Sequence, residues 1–281
     1  MLPLENITSA GNPLLKEIRR AVARGGLTAE GWCIAETFHL VEEAVRSGCA
    51  VKAVLAAQGK RAVVEAMLPR LGAINLGAIK AALLPDALFA SIAATEHSQG
   101  VMALVQPREW ELEQLLAGTA LVAVLDGIQD PGNAGTIVRA AEAFGATGVL
   151  FVKGTVSPHN PKTLRGSAGS LFRVPFVHGT DSETARTALR ERGIQLFAAM
   201  PAGGGAAVKA LAATDLTGPC GLVIGSEARG VTAEWREVSA GVSIPTVGVE
   251  SLNASVAAGI LLYEARRQRM AWQGRRTTGH R

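Results

Sequence analysis

Residues 244–264 read IPTVGVESLNASVAAGILLYE, and this stretch decides how the chain is read. It opens on a strand end at Ile244-Pro245 and crosses a polar turn formed by Glu250, Ser251, Leu252 and Asn253. A long apolar helix then follows without a break. A polar turn fixed between two buried elements is where a fold presents ligand-binding groups.

Working outward, the segment from residue 119 onward alternates short apolar runs with helical patterns. Strands are expected at Ala120–Leu125, Val149–Val152, Gln195–Ala199 and Gly221–Ile224. Helices are expected at Thr136–Phe144 and over 184–192. Apolar strands of about five residues separated by helices imply a mainly parallel sheet covered on both faces. The first 105 residues form a smaller α/β pattern of their own. Asn12-Pro13 caps a helix running to about Ala23, and Thr37 caps another running to about Arg46. Strands are expected at Trp32–Ala35, Val51–Ala56 and Val101–Val105, with a helix over 60–70. The charged, proline-led stretch 106–118 (QPREWELEQLLAG) marks the join.

The chain has 281 residues, 48% of them apolar, enough for two cores. No uncharged apolar run reaches about 18 residues, which argues against a membrane span. The start, MLPLENITSAGNPLLKEIRR, lacks an apolar signal core, which argues against secretion. The three cysteines, Cys33, Cys49 and Cys220, are scattered, which fits a reducing cytoplasm and offers no metal clasp. The five histidines (His39, His97, His159, His178 and His280) have no metal spacing. A net charge of +4 permits a polyanionic partner without requiring one.

Three segments carry candidate chemistry. LDGIQDPGNAGTIVRAAEAFGATGV (125–149) places Asn133 in a glycine-rich loop and Arg139 early on a helix. It lacks both the dinucleotide fingerprint and a phosphate-binding P-loop. By itself it reads more readily as a turn with a surface arginine than as a site. HNPKTLRGSAGSLFRVP (159–175) carries Lys162, Arg165 and Arg173 among small residues. It is either a solvated basic loop or a phosphate contact, with Ser167 and Gly169 leaving room for an RNA backbone. LVIGSEARGV (222–231) turns at Gly225, where Glu227 either caps or faces a cation. Gly203-Gly204-Gly205 reads as a loop, and the basic tail after Ala271 as loose.

Taken together, these segments resemble the SpoU (TrmH-type) branch of the SPOUT RNA methyltransferases over nearly the whole chain. NAGTIVR, from Asn133 to Arg139, is similar to the first family motif. IGSEARG, with Gly225 to Gly230, is similar to the second. Ile244-Pro245 with Ser251–Ala257 is similar to the third. ITSAGNPLLKEIRR and HSQGVMALV resemble the family's L30e-like RNA substrate-binding domain. One departure is Ala35-Glu36-Thr37, where the family often has Glu-Gly.

The resemblance implies a trefoil-knotted, mainly parallel α/β catalytic domain over 119–281. A linker over 106–118 and an L30e-like α/β domain over 1–105 precede it. It implies S-adenosylmethionine (SAM) as methyl donor, no metal, and a cytoplasmic homodimer with active sites near its interface. Gly225, Ile244, Pro245 and Leu252 would contact SAM, and Ala199 and Met200 would wall its adenine. Arg139 would be catalytic, Asn133 would orient it or the ribose, and Glu227 would fix the arginine. Ser251 and Asn253 would position the acceptor, while Lys162, Arg165 and Arg173 would meet RNA. The implied reaction methylates a ribose 2′-hydroxyl, with large-subunit (23S) ribosomal RNA preferred because a separate N-terminal domain resembles the ribosomal RNA members. The alternatives are a tRNA 2′-O-methyltransferase, a base-methylating relative, and a non-catalytic RNA-binding or ribosome-assembly protein. A nicotinamide dehydrogenase is the most distant reading.

Overall fold

The computed structural model describes residues 4–72, 79–203 and 208–278. Gly204, Gly205 and His280 lie outside the described residues. In chain order the first elements are β1 (Leu4–Asn6), α1 (Pro13–Arg24), β2 (Cys33–Glu36), α2 (Phe38–Arg46) and β3 (Val51–Ala57). Then come α3 (Arg61–Gly72), β4 (Lys80–Leu84), α4 (Asp86–Ala90), β5 (Val101–Val105), α5 (Leu112–Leu115), β6 (Leu121–Asp126) and α6 (Pro131–Ala143). The chain continues with β7 (Gly148–Val152), α7 (Pro161–Gly166), β8 (Phe176–Thr180), α8 (Ser182–Glu191), β9 (Gln195–Ala199) and β10 (Lys209–Ala210). It closes with β11 (Cys220–Gly225), α9 (Ala233–Arg236), β12 (Ala240–Ser243) and α10 (Ala254–Thr278).

Two compact units divide the chain. The first is Met1–Glu109 with Ser157–Arg173, and the second is Trp110–Val156 with Val174–Arg281. The first unit holds a five-stranded sheet ordered β1-β4-β3-β5-β2, in which β5 runs antiparallel to β3 and β2. Asn12 caps α1 by accepting from Leu14 N at 2.9 Å, and Leu15, Ile18 and Ala21 pack into the core. Neither β4 nor α4 is announced by the sequence, because an Ala-Leu run such as KAALLPDALFA suits helix and strand equally.

The departure at Thr37 has a backbone cause. Thr37 adopts φ 146°, in the region that favours glycine, and its Oγ1 accepts from Leu40 N at 3.1 Å. The cap bond offsets the strain that the side chain brings there. Next to it, Glu36 is buried, and its carboxylate accepts from Ala94 N at 2.6 Å and Thr95 Oγ1 at 2.9 Å.

Residues 157–173 belong to this first unit although they lie between β7 and β8 in sequence. The expected loop contains α7, which Asn160 caps through Lys162 N at 2.9 Å with Pro161 in the first turn. Ser167 is fully buried and donates to Leu164 O at 2.7 Å. A Cβ on Gly169 would lie 2.7 Å from Glu43 Cβ, so the space there belongs to the protein's own Glu43, not to RNA. Arg173 Nη1 lies 2.5 Å from Glu43 Oε2, and His39 Nε2 meets Ala168 O at 3.2 Å.

The second unit is a seven-stranded sheet ordered β10-β12-β9-β11-β6-β7-β8, with every pair parallel. One face buries Val122, Val124, Leu150, Val223 and Trp235 with the α8 residues Ala185 and Leu189. α10 packs on α6 and β11. Arg269 ties α10 down by donating to four main-chain carbonyls: Leu216, Thr119, Ala120 and Gly218, at 2.6–3.1 Å. The tail expected to be loose after Ala271 instead continues α10 to Thr278.

At the end of β11 the chain doubles back so closely that a side chain has no room. Gly230 N donates to Ser226 O at 2.7 Å, and a Cβ on Gly225 would overlap the main chain of Gly230 and Val231. Gly225→Ala is therefore expected to cost about 3 kcal/mol or more by displacing backbone, read as a lower urea midpoint. A wild-type midpoint would refute this tight return.

Burial opposes ionisation of Glu43, but hydrogen bonds from Arg173 and Arg46 outweigh it and hold the carboxyl below its usual range. A carboxyl held low in the fold contributes stability above its unfolded value, and that stability disappears as pH falls through the folded value. Denaturant midpoints measured downward from about pH 5 should therefore drop less in Arg173→Gln than in the wild type. Parallel curves would dissociate the pair from stability.

Candidate functional site

Parallel sheets expose ligand sites beyond the carboxyl ends of their strands, where the strand order reverses. Here β6 leads outward to β7 and β8 on one side, while β11, β9 and β12 lie on the other. The ends are level: Gly225 pairs with Asp126, and Ala199 with Val242. Beyond the ends of β9, β11 and β12 lies a cavity of about 830 Å³. Its apolar wall includes Ala199, Met200, Ile224, Ile244 and Leu252. Glu227, Glu250, Arg229 and Arg236 supply charge of both signs.

Main chain and short polar side chains brace the strand ends and turns around the cavity. Asp126 is buried at the tip of β6 and accepts from Thr232 N at 2.7 Å, fastening the segment after the β11 turn. Gly127 takes φ 70°, and its N donates to Thr155 Oγ1 at 3.1 Å. Thr246 Oγ1 donates to Val249 O at 2.9 Å, closing the turn that carries Gly248.

Beside the cavity runs a directed chain of side-chain amides. Asn253 caps α10: its Oδ1 accepts from Ser255 N at 2.9 Å, Ser255 Oγ at 2.7 Å and Val256 N at 3.3 Å. With the oxygen committed to the helix, Nδ2 must point away, and it donates to Asn133 Oδ1 at 3.1 Å. Asn133 is thereby oriented in turn, and its Nδ2 donates to Glu227 Oε1. The Glu227 oxygen accepts this bond, so it completes the chain without conflict. The helix cap thus sets the direction of every bond down to Glu227.

The expected residues sort clearly. Ala199, Met200, Gly225, Glu227, Ile244, Ser251 and Leu252 line the cavity. Pro245, Asn133 and Asn253 are not in that lining, and the two asparagines reach it through Glu227. Asn133 stands in the first turn of α6, not in a loop, because Asp130 Oδ1 accepts from Asn133 N at 2.7 Å and Pro131 starts the helix. The expected Glu227–Arg139 pairing does not form, since Glu227 holds Asn133. Arg139 is exposed on α6, outside the cavity lining. Lys162, Arg165 and Arg173 lie in the first unit, where Arg173 is tied to Glu43. The sequence did not single out Arg229, Arg236, Thr246 or Glu250 as cavity residues. Only the motif neighbourhood of Arg229 and Glu250 offered a signal. Among the described residues no cluster suits a metal ion.

Replacing Asn253 separates its two duties. Asn253→Asp keeps the capping oxygen but removes the donor facing Asn133, so thermal stability should stay within about 0.5 kcal/mol while the amide chain breaks. Asn253→Ala loses the cap as well and should cost about 1 kcal/mol. Equal unfolding midpoints for the alanine variant and the wild type would refute the capping role.

The SpoU rRNA methylase family profile matches residues 120–263, and the MRM3-like substrate binding domain matches residues 12–103. An uncharacterized tRNA/rRNA methyltransferase of Synechocystis sp. is 33% identical, covering 95% of this chain and 96% of the relative. A Bacillus subtilis 23S rRNA (guanosine(2553)-2′-O)-methyltransferase, RlmP, is 30% identical over 94% of this chain and all of its own length (100%). The crystal structure of an AdoMet-bound rRNA methyltransferase from Sinorhizobium meliloti superposes with a TM-score of 0.77 at 28% identity, covering 94% of this chain and 98% of the other. With the amide chain and cavity at the strand ends, and with matches running nearly end to end, this chain belongs to the SpoU family of RNA methylases.

Proposed function

We propose that this protein transfers a methyl group from SAM to a ribose 2′-hydroxyl of large-subunit ribosomal RNA. The observation that carries the reading is the chain Asn253–Asn133–Glu227 set beside a cavity at the strand ends. Its support among relatives is the 23S rRNA 2′-O-methyltransferase named above.

The cavity fits SAM. Its volume is in the roughly 300–1,000 Å³ range of small-molecule sites. The apolar wall of Ala199, Met200, Ile244 and Leu252 suits a flat adenine, and the mixed charges suit a zwitterionic tail. Gly225 and Pro245 shape the main chain around that wall. When bound, SAM supplies a methyl carbon already joined to a sulfonium leaving group, so no metal is needed.

The chain's own residues must orient the acceptor and handle its proton. The turn bearing Ser251 and Asn253 presents polar groups at the cavity edge, and Asn133 and Glu227 keep that edge rigid. Orientation of this kind lowers a barrier by roughly 7–11 kcal/mol in the best cases. A guanidinium donates hydrogen bonds and accepts none, so the role of Arg139 is to stabilise the developing alkoxide or an adjoining phosphate.

The reading includes a homodimer and a trefoil-knotted passage of the chain, in a cytoplasmic protein. Among the described residues no helix is long and apolar enough to cross a membrane. Val256, Tyr263 and Met270 recur every seven residues as an exposed apolar stripe on α10, about half exposed each. A second copy covering that stripe would bring another α6, and another Arg139, to the neighbourhood of the site.

Arg139→Ala is expected to leave SAM affinity unchanged by calorimetry and to lower methyl transfer about 10²-fold or more. Alkali-resistant linkages in product RNA report 2′-O-methylation. Normal turnover by the variant, or an alkali-labile product, would sink the assignment.

A further inference from the structure

We infer that RNA is gripped along one basic ridge that α1 and α7 build jointly, from the start and the middle of the sequence. This rests on the proposal that RNA is the substrate. On α1, Leu15, Ile18 and Ala21 are buried, while Lys16, Arg20 and Arg24 form the exposed row opposite. These three recur every fourth residue, so they lie along one line with steps of about 6 Å. The third cation sits at the helix C-terminus, where the dipole favours it.

The end of α1 abuts the start of α7. Gly25 caps α1 at φ 62°, and a Cβ there would come within 2.6 Å of Asn160 Nδ2, the residue that caps α7. From that joint α7 buries Thr163 and Leu164 and exposes Lys162 and Arg165. Lys162 and Arg165 are three apart and share a face.

Among the described residues, Lys16, Arg20, Arg24, Lys162 and Arg165 take part in no ion pair. Arg46, Lys52, Arg61 and Arg173 each meet a glutamate. Arg24 donates only to Leu27 O at 3.3 Å. Arg19 is drawn off the row, toward Ala10 O and Ser91 Oγ. The single acid on α1, Glu17, has its Oε1 buried, and α7 has no acid.

Like charges four apart on a helix repel and destabilise it. The row is thus unfavourable in the free protein and favourable against a polyanion. Its step is close to the separation of successive phosphates along one strand. Neither helix carries an aromatic side chain for stacking on bases or entering lipid. The ridge therefore reads phosphates and supplies affinity rather than base specificity. Arg173, bound to Glu43, holds the α7 segment in place and is not part of the ridge.

The test uses the full chain and a 23S rRNA transcript in filter binding from about 50 to 200 mM salt. Lys16→Gln/Arg20→Gln/Arg24→Gln should weaken binding at least about tenfold and reduce the slope of log affinity against log salt by about 2. Lys162→Gln/Arg165→Gln should remove about 1–2 more, and the two sets should add. Arg173→Gln should lower stability with little change in slope. SAM affinity measured by calorimetry shows that each variant is folded. A triple variant with wild-type slope and affinity overturns the ridge, even if methylation proceeds normally. Loss of slope in a protein that never methylates ribose would instead retain the ridge and overturn the catalytic reading.

Discussion

A helix begins with main-chain donors that have no partner within it, and at α10 the side chain of Asn253 supplies the missing acceptor. That one local requirement propagates. An amide has one oxygen and one nitrogen end, so committing the oxygen to the cap aims the nitrogen at Asn133. Asn133 then has a single orientation, and its own nitrogen faces Glu227 at the cavity wall. The start of one helix, the first turn of another and the turn after β11 are thereby held by a single directional rule. Asn133, Glu227 94 residues further on and Asn253 120 residues further on become one edge.

The cavity depends on close main-chain packing as much as on polar bonds. With no Cβ at Gly225, β11 can end against Gly230 and Val231, and Asp126 can fasten Thr232 beside it. The resulting wall sets close-packed main chain at Gly225 beside the apolar side chains of Ile224, Ile244 and Leu252. Backbone fixed in this way suits a site whose task is orientation.

The first unit takes part of its material from the middle of the sequence. Residues 157–173 leave the seven-stranded sheet after β7, pack through Arg173, Gly169 and Ala168 on α2, and return to form β8. This excursion lies within the stretch that matches the methylase family, between residues 120 and 263. The segment is therefore joined to the seven-stranded sheet by β7 before it and β8 after it.

Although β8, β10 and α9 went unread, the sequence by itself determined β6, β7, β9 and β11, the helices α8 and α10, and the capped starts at Asn12 and Thr37. These depend on local rules: apolar periodicity, capping side chains and motif spacing act over a few residues. It did not place Asn133 inside α6, because glycines at 132 and 135 suggest a loop until Asp130 is seen capping the helix. It did not separate Arg173 from Lys162 and Arg165, which are alike in composition and differ only in whether a carboxylate lies opposite. Nor did it give the partner of Glu227, since nothing in the spacing distinguishes Asn133 from Arg139 as its donor. Those outcomes depend on which distant side chains meet, and only the folded chain brings them within hydrogen-bonding distance.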